Sequence, residues 1–420
     1  MDVLLLNDTT LVPFLPAHWR VLSVGPEALY VMPDQNHFDI WLPNQLEHAL
    51  DEVLVRCREK IPDFEPQVII QFETSLNYFY RGIERSPALT IWRLIDTHMF
   101  YHWQPLYAHL FDVALVAQKD YLPRFEEVRG AGGHPEAHWL PLNTNKKIHY
   151  DRGLPRELPV SFVGSMNPVV HPERVMFFEA LKRKVPLQIF SGKNQVELAE
   201  IYNHSQVVVN ECLHRDLNYR LFEALSNGAV CVTPAIEAGQ RDLFINSEDI
   251  VEYKDKDVND AAAQILALLQ DPSRLERIRQ SGRDKVHGLH DISHRAQTVV
   301  ELIQLQLRAH PPPRTRKLEA RKLLPIFSLL TEFTFELKRV GGRHMEDLVL
   351  QARALDERQT ALYLISLSRR WLERQNLAAA DYCLQHVLAM TALEPALRHA
   401  ALVVRAQLES LRQQLGGGTP

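Results

Sequence analysis

The sequence predicts an α/β protein with two successive parallel sheets and an all-helical region after them. Short apolar runs recur along residues 3–117 and again along residues 160–253, and helical or loop stretches separate each run from the next. Such alternation is typical of parallel sheets that are covered by helices on both faces. After His310 the strand-type runs stop, and amphipathic helical patterns fill residues 315–415.

Apolar runs predict the strands of each sheet. The first sheet takes residues 3–6, 20–24, 68–71, 88–95 and 113–117, and the second takes residues 160–163, 187–190, 207–209, 229–233 and 249–253. Between the two sets, residues 143–159 are rich in Lys, Arg, Pro and Gly and have little apolar periodicity, which favours a domain boundary there. We therefore expect one domain over residues 1–150 and a second over residues 151–310.

Three consecutive prolines, Pro311, Pro312 and Pro313, mark the expected end of the second domain, because such a run forms a stiff extended spacer. Residues 311–420 are then expected to form an accessory α-helical domain of four or five helices. Residues 361–395 weakly resemble one tetratricopeptide unit, but solenoids need about three repeats to bury a continuous core. A helical bundle that extends the core or mediates association is therefore favoured over a solenoid.

The segment after the prolines is basic, with Arg314, Arg316, Lys317, Arg321 and Lys322 against Glu319. A solvated surface run is the common fate of such a cluster. The alternative is a basic amphipathic helix that contacts an anionic membrane. Both interpretations are open from the sequence.

Composition limits the partners and the compartment. The formal net charge of −5 gives no support for nucleic acid as a partner. No apolar run approaches the length of a membrane span, and the first residues lack the basic start of a signal peptide. The cysteines lack the spacing of a zinc site, which favours core thiols in the cytoplasm. They are Cys57, Cys212, Cys231 and Cys383.

Residues 215–228 carry the clearest pattern of a ligand site. They start in a polar loop, continue as a helix and end at Gly228 before a buried strand. Arg220 and Glu223 share the edge opposite the apolar stripe. The first turn, with the N–H groups of residues 217–220, favours an anion, and ligands of open α/β sheets bind near such helix starts. From the spacing alone, a solvated Arg220–Glu223 pair is an equal alternative.

The same residues resemble the LNxRxFEALxxG signature of the CgeB-like glycosyltransferases, a branch of the group-1-type GT-B enzymes. Further segments occur in that family's order, and together they cover about residues 65–305. They are WRLIDTH at 92–98, AQKDY at 117–121, WLPL at 139–142, VSFVGS at 160–165 and HDISHR at 290–295. The resemblance implies two Rossmann-like domains that face a cleft, with the acceptor side first and the nucleotide-sugar side second. It also implies that a helix over residues 294–309 crosses back to the first domain.

The resemblance also implies roles for individual residues. Glu223 would accept hydrogen bonds from the ribose hydroxyls of a nucleotide donor, and Arg220 would offset the charge of the leaving diphosphate. Many related enzymes carry a second glutamate eight positions earlier, where this chain has Arg215, so their retaining mechanism does not transfer. The donor-binding residues implied in this way are Gly164, Ser165, Gly192, Lys193, Asn218, Tyr219, Arg220 and Glu223.

Asp96 and His98 are the candidates for acceptor chemistry, together with Arg220 on the donor side. They follow the predicted strand 88–95, where a carboxylate and an imidazole can act as base or hydrogen-bond to a sugar. A loop-capping aspartate and a surface histidine are the alternative. The glycines at 164 and 192 and the neighbouring Ser165 and Lys193 are equally compatible with ordinary tight turns and a solvated cation.

No essential metal and no cofactor are expected. Asp255-Lys256-Asp257 is a D-x-D triplet, the metal signature of a different glycosyltransferase fold, but its place before a predicted helix favours an N-cap. The helix dipole and Arg220 would supply the positive charge that magnesium supplies elsewhere.

The expected function is transfer of a sugar from a nucleotide-diphosphate donor, with a UDP-sugar as the first guess, to a glycan, lipid-linked or protein acceptor. One alternative is an inactive GT-B-like scaffold whose helical tail binds a partner or self-associates. A second is a GT-B sugar-nucleotide epimerase, which would act on the donor alone. The expected location is the cytoplasm, with peripheral contact to the inner face of a membrane as an option.

Overall fold

The computed structural model describes residues 1–27, 37–73, 78–129, 133, 135–212, 214–316, 318–337 and 342–416. The strands are β1 (Asp2–Leu6), β2 (Arg20–Pro26), β3 (Ile40–Leu42), β4 (Glu47–Ala49), β5 (Val68–Phe72), β6 (Phe79–Arg81), β7 (Leu89–Leu94), β8 (Val113–Val116), β9 (Glu136–Trp139), β10 (Leu158–Val163), β11 (Leu187–Phe190), β12 (Ser205–Val209), β13 (Val230–Pro234) and β14 (Val251–Tyr253). The helices are α1 (Leu50–Lys60), α2 (Thr97–Phe100), α3 (Gln104–Tyr107), α4 (Leu122–Arg129), α5 (Pro172–Lys182), α6 (Gln195–Asn203), α7 (Tyr219–Ser226), α8 (Gln240–Leu243), α9 (Val258–Gln270), α10 (Pro272–Leu289), α11 (Ile292–Ala309), α12 (Ala320–Phe335), α13 (Gly342–Leu355), α14 (Glu357–Glu373), α15 (Leu377–Leu388) and α16 (Pro395–Gly416).

Two large parallel sheets organise the described chain, as the alternating pattern predicts. The first has the order β3-β2-β1-β5-β7-β8-β9 and the second has the order β11-β10-β12-β13-β14. Every residue of β7 and β8 is buried, because helices cover both faces of the sheet. The strand order reverses between β1 and β5 and between β10 and β12, and such switch points are where open α/β sheets bind ligands.

Helix α11 returns from the second sheet to the first. Its apolar residues Ala296, Val299 and Ile303 pack in one cluster with Val3 and Val68 of the first sheet. The start of α11 also pairs with the connector between the sheets, because the backbone N–H groups at 144 and 292 bond to carbonyls at 290 and 144. The two segments that cross between the sheets therefore run side by side.

The helices α12 to α16 share their hydrophobic core with the first sheet. Leu323 and Phe327 of α12 belong to the same buried cluster as Trp92 and Phe111. His344 of α13 is fully buried against the first domain, and its imidazole Nε2 lies 3.3 Å from the Tyr107 hydroxyl oxygen. The helical region thus extends the first domain's core.

The segment after the prolines differs from the expectation of a solvated or helical basic run at Arg314 and Arg316, which precede α12 and are not helical. Arg321 lies exposed on α12, and Lys317 lies outside the described residues. The Arg316 guanidinium is buried and binds both Asp112 carboxylate oxygens, at 2.6 and 2.9 Å. It also donates to the Thr90 hydroxyl and to the carbonyls of Ile83, Glu84, Ser86 and Ala88. Arg314 lies 3.5 Å from the same aspartate. Both arginine side chains point into the protein because they pair there with the buried carboxylate of Asp112.

None of the helices in the described ranges combines the length and the apolarity that a membrane span requires.

Candidate functional site

A cavity of about 510 Å³ lies beyond the carboxyl ends of the second sheet's strands and is closed on one side by the first domain. Loops after β10, β12 and β14 supply most of its wall, and the segment after β7 supplies the rest. The lining residues are His98, Met99, Val170, His171, Pro172, Glu173, Arg174, His214, Asp216, Asn218, Arg220 and Lys256. The wall therefore combines residues from both domains and includes several cations.

Arg220, on the first turn of α7, is fixed at the end of two neighbouring strands. Its Nε donates to the Val163 carbonyl at 3.1 Å, and its Nη1 donates to Asn210 Oδ1 at 2.9 Å. The guanidinium also lies 4.6 Å from the centre of the Phe162 ring. A Cβ at Gly164 would stand 2.8 Å from Arg220 Nη2, so the glycine makes room for this arginine.

Arg174 is a second arginine in the wall; it is buried, and it was not predicted from the sequence. It sits on the first turn of α5, where its Nε donates to Glu211 Oε2 at 2.8 Å. Its guanidinium lies 5.8 Å from the same Phe162 ring that contacts Arg220. Lys256 adds a third cation and pairs with Glu173 at 2.5 Å. The only signal in the sequence is an arginine on a helix that starts shortly after β10.

Asp96 and His98 meet the second domain across the cleft. The rings of His98 and His214 lie 5.6 Å apart. Burial lowers the pKa of His98, although Asp216 and Asp96 act in the opposite direction. Burial, together with the charge of Asp216, raises the pKa of Asp96 against the influence of His98. The sequence pattern predicted that Asp96 and His98 act together. The structure adds His214 and Asp216, which face them from the second domain.

Glu73 holds the loop of Asp96 and His98 by hydrogen bonds to its backbone, and this residue was not predicted from the sequence. It follows β5, and its Oε2 accepts hydrogen bonds from the backbone N–H of Ile95 at 2.6 Å and of Asp96 at 3.0 Å. Burial, reinforced by the charge of Asp96, raises the pKa of Glu73 to about 8. A polar residue directly after a buried strand was its only signal in the sequence.

The start of α7 differs from the expectation in one respect. The Leu217 N–H, expected among the amides that meet an anion, donates to Gln118 Oε1 at 2.9 Å. The helix itself begins at Tyr219, with Asn218 as its N-cap. The Leu217 N–H is therefore not available to an anion, because Gln118 of the first domain already accepts its hydrogen bond. The amides that can meet an anion are those of the first turn of α7, from Tyr219 onward.

Two polar atoms in the cavity wall have no hydrogen-bond partner within the described residues. They are Asn218 Oδ1 and His98 Nδ1, and both are buried. Buried polar atoms are nearly always paired in native proteins, so these two atoms have hydrogen-bonding capacity that a bound molecule can use after a small side-chain movement. They belong to residues that line the cavity from opposite domains.

Glu223 and Tyr219 lie on a different side of α7 from the cavity. Glu223 is buried, and its carboxylate lies 3.8 Å from His149 Nε2, too far for a hydrogen bond. Burial raises the pKa of the Tyr219 hydroxyl, which senses the charges of Arg93 and Asp8 from the first domain. Helix α7 thus faces the cavity with Asn218 and Arg220 and the first domain with Tyr219.

The other implied donor residues do not line the cavity. Lys193 pairs at 2.9 Å with Glu197, which also forms the capping box at the start of α6 together with Asn194. Gly192 has a left-handed φ of 68° and open space around it. Ser165 is exposed, and its hydroxyl oxygen accepts from the Asn167 N–H at 3.4 Å. These residues belong to the turns that follow β10 and β11, two neighbouring strands at the edge of the second sheet.

The D-x-D triplet acts as a helix cap, as its position predicts. The Asp257 side chain accepts from the N–H groups of Asn259 and Asp260 at the start of α9. In the described part of the chain, no three His, Cys, Asp or Glu side chains are grouped to hold a metal ion.

Comparison with solved structures decides the architecture. Sucrose-phosphate synthase from Thermosynechococcus elongatus superposes with a TM-score of 0.52 at 14% identity, covering 74% of this chain and 100% of the synthase chain. HepE from Anabaena, in complex with UDP-glucose, gives a TM-score of 0.54 at 12% identity, covering 73% of this chain and 100% of HepE. The chain has the GT-B fold. A glycosyltransferase from Rickettsia africae matches this GT-B fold with a TM-score of 0.51 at 9% identity, covering 73% and 98% of the two chains.

Sequence comparison adds a family match within the GT-B fold. Residues 174–301 match a family model described as "Glycosyl transferase-like". The matched range begins at Arg174 and includes Arg220, Glu223 and Lys256, so it holds the cations of the cavity. No protein of curated function matches the chain in sequence.

Proposed function

We propose that this protein is a glycosyltransferase of the CgeB-like type that uses a nucleotide-diphosphate sugar as donor. One observation carries the proposal: Arg174, Arg220 and Lys256 line a single cavity at the carboxyl ends of the second sheet. Three cations and the start of α7 favour a ligand with several negative charges, such as a diphosphate. The HepE complexes with UDP and UDP-glucose make uridine diphosphate the first ligand to test.

In the proposed reaction, the bond between the anomeric carbon and the diphosphate oxygen breaks, and its electron pair stays on that oxygen. Arg174, Arg220 and Lys256 stabilise the negative charge that develops there. An acceptor hydroxyl forms the new bond to the anomeric carbon, and its proton passes to His98 or Asp96. The lowered pKa of His98 leaves its imidazole neutral at pH 7, the form that accepts a proton.

The remaining donor contacts are proposed for both sides of α7 and for the neighbouring turns. Glu223, with a buried carboxylate that is not hydrogen-bonded to His149, would bind the ribose hydroxyls. The backbone N–H of Tyr219, in the first turn, would donate to the diphosphate. Asn218 Oδ1 would accept a hydrogen bond from a hydroxyl of the sugar. The turns with Gly164, Ser165, Gly192 and Lys193 would approach the nucleotide.

We further propose that transfer needs no metal, because Arg220 and the dipole at the start of α7 can offset the charge of a leaving diphosphate. Turnover should therefore persist in EDTA and should not increase with added Mg²⁺ or Mn²⁺. Loss of turnover in EDTA, with recovery on adding one of these ions, would reject this part of the proposal.

The location and the acceptor class are proposals as well. All four cysteines are buried free thiols, which supports a reducing compartment such as the cytoplasm. A glycan, a lipid-linked molecule or a protein are the acceptor classes to screen.

Calorimetric titration with UDP, GDP and ADP tests the donor site. Replacing Arg220 with methionine should weaken UDP binding by about tenfold or more, because a charge-assisted bond to phosphate is worth about 1.5–3 kcal/mol. Lys256→Met, which changes a mostly exposed side chain, should weaken it less. Arg183→Met, at the exposed far end of α5, is the matched control and should leave binding unchanged. Folded wild-type protein that binds none of these nucleotides at about millimolar concentration would refute the proposal.

Product analysis separates the transferase from the two alternatives. With a UDP-sugar, a transferase releases UDP, whereas an epimerase returns a UDP-sugar of changed configuration. An inactive scaffold does neither, even if it binds the nucleotide.

A further inference from the structure

The two walls of the cleft meet at one buried side chain, Gln118, which follows β8. Its Nε2 donates to the Leu217 carbonyl at 2.8 Å and to the Ile95 carbonyl at 3.4 Å, and its Oε1 accepts from the Leu217 N–H at 2.9 Å. Gln118 is only 1% exposed. Ile95 directly precedes Asp96, so one amide touches the loops that carry both halves of the cavity wall.

We propose that Gln118 is a positioning residue that holds the first-domain loop of Asp96 and His98 in register with the second-domain loop of Asp216 and Asn218. This inference rests on the proposed function. A side-chain amide that pairs with both the N–H and the C=O of one residue fixes its distance and its rotation, as a neighbouring strand does. Water cannot replace these bonds, because the site is buried.

Glu73 completes the arrangement from the other side. It binds the Ile95 N–H, while Gln118 binds the Ile95 carbonyl, so both backbone groups of that residue are held by side chains. The loop before Asp96 is thereby fixed to its own sheet and to the second domain at the same time.

The neighbours of Gln118 also cross the cleft, but they do not reach the cavity wall. Lys119 pairs with Asp242 at 2.9 Å, and both side chains are more than 40% exposed. Asp120 accepts from the Ala238 N–H at 2.9 Å. Their partners belong to the segment after β13, which contributes nothing to the cavity lining. Of these three consecutive residues, Gln118 is the one whose bonds reach the loops of the site.

Hydrogen exchange tests the clamp without any ligand. In Gln118→Met, which keeps the side-chain length but removes both hydrogen-bonding groups, backbone amides of residues 93–98 and 214–219 should exchange faster. Lys119→Met is the matched control, because it removes an exposed contact between the domains one residue away, and these segments should exchange as in the wild type. Unchanged exchange of both segments in Gln118→Met would overturn the proposal.

Turnover distinguishes positioning from a general structural role. Small misplacement of reacting groups costs about 10²-fold in rate, so UDP release from UDP-glucose should fall by about that factor in Gln118→Met. The dissociation constant for UDP should rise by less, by about tenfold at most, because loosening of residues 214–219 weakens the contacts at Asn218 and Tyr219 but leaves Arg174 and Lys256 in place. Equal losses of UDP affinity and turnover would overturn the positioning role.

Gln118→Glu provides a second variant if the methionine variant is unstable. A protonated carboxyl can donate to the Leu217 carbonyl and accept from the Leu217 N–H, although it lacks the amide's second donor for Ile95, whereas the ionised form offers acceptors only. Its turnover relative to the wild type should therefore rise as the pH falls, and a ratio that is flat with pH would count against the proposal. If wild-type protein neither binds UDP nor hydrolyses UDP-glucose, the proposed function fails, and the exchange experiment alone decides the role of Gln118.

Discussion

At the scale of single residues, Glu73 makes the folding stability depend on pH. Its pKa is raised from 4.5 to about 8 by burial and by the charge of Asp96, so the folded protein holds a proton that the unfolded chain releases. The stabilisation from this neutral carboxyl is complete below about pH 4.5 and is lost as the pH rises towards 8. This loss of folding stability therefore extends through neutral pH.

Glu73→Gln should remove this dependence. Glutamine keeps an oxygen that can accept from the Ile95 and Asp96 amides, but it does not titrate. The free energy of unfolding of the variant, minus that of the wild type, should therefore rise between about pH 5 and pH 8, by up to about 1.4 kcal/mol per pH unit. Urea denaturation at about three pH values across this range measures the difference.

Taking the difference cancels the titration of groups that both proteins share, such as the buried His344. Glu65→Gln, at an exposed carboxylate, is the control and should give a difference that does not change with pH. The same flat result for Glu73→Gln would show that this carboxyl is ionised in the folded protein.

At the scale of elements, the end of β10 determines where Arg220 can lie. A Cβ added at Gly164 would stand 2.8 Å from Arg220 Nη2 and 2.7 Å from Phe162 Cζ. Gly164→Ala should therefore displace the arginine, weaken UDP binding by about tenfold and cost about 1–3 kcal/mol of stability by overpacking. Calorimetry and urea denaturation measure the two effects.

The control for this element is Gly288→Ala in α10, where no atom lies within 4 Å of an added Cβ. It should leave UDP binding unchanged and alter stability by no more than about 1 kcal/mol, in the stabilising direction. Unchanged UDP affinity in Gly164→Ala would mean that Arg220 does not contact the nucleotide.

The sequence predicts the long buried strands and helix α7 well, because their apolar runs depend on local pattern alone. The predicted strand at residues 88–95, for example, corresponds to β7, Leu89–Leu94. The short strands β3, β4, β6 and β9 were not predicted, because β4, β6 and β9 contain no β-branched residue and β3 has only three residues. Arg174 and Gln118 could not be assigned either. Their partners Glu211 and Leu217 are 37 and 99 residues away, and no spacing rule connects them.

At the scale of the whole molecule, the helical region is fastened to the first domain by Arg316. The sequence suggests a spacer at the three prolines, but Asp112, the partner of Arg316, lies 204 residues earlier in the chain. Burial would raise the pKa of Asp112, yet Arg316 and a Thr90 N–H bond hold it below its ordinary value. The carboxylate is therefore ionised in the interior and depends on its arginine.

Arg316→Met should accordingly lower the free energy of unfolding by about 3–5 kcal/mol, because it leaves a buried carboxylate and several carbonyls without their partner. Arg321 lies a few residues after Arg316, is exposed and pairs with Glu319. Arg321→Met should therefore lower the free energy of unfolding by at most about 1 kcal/mol. Urea denaturation compares the two. Because α12 shares one hydrophobic core with the first domain, Arg316→Met should unfold both regions in one transition. A separate early transition of the helices, with the sheets intact, would instead show that residues 311–420 fold as an independent domain.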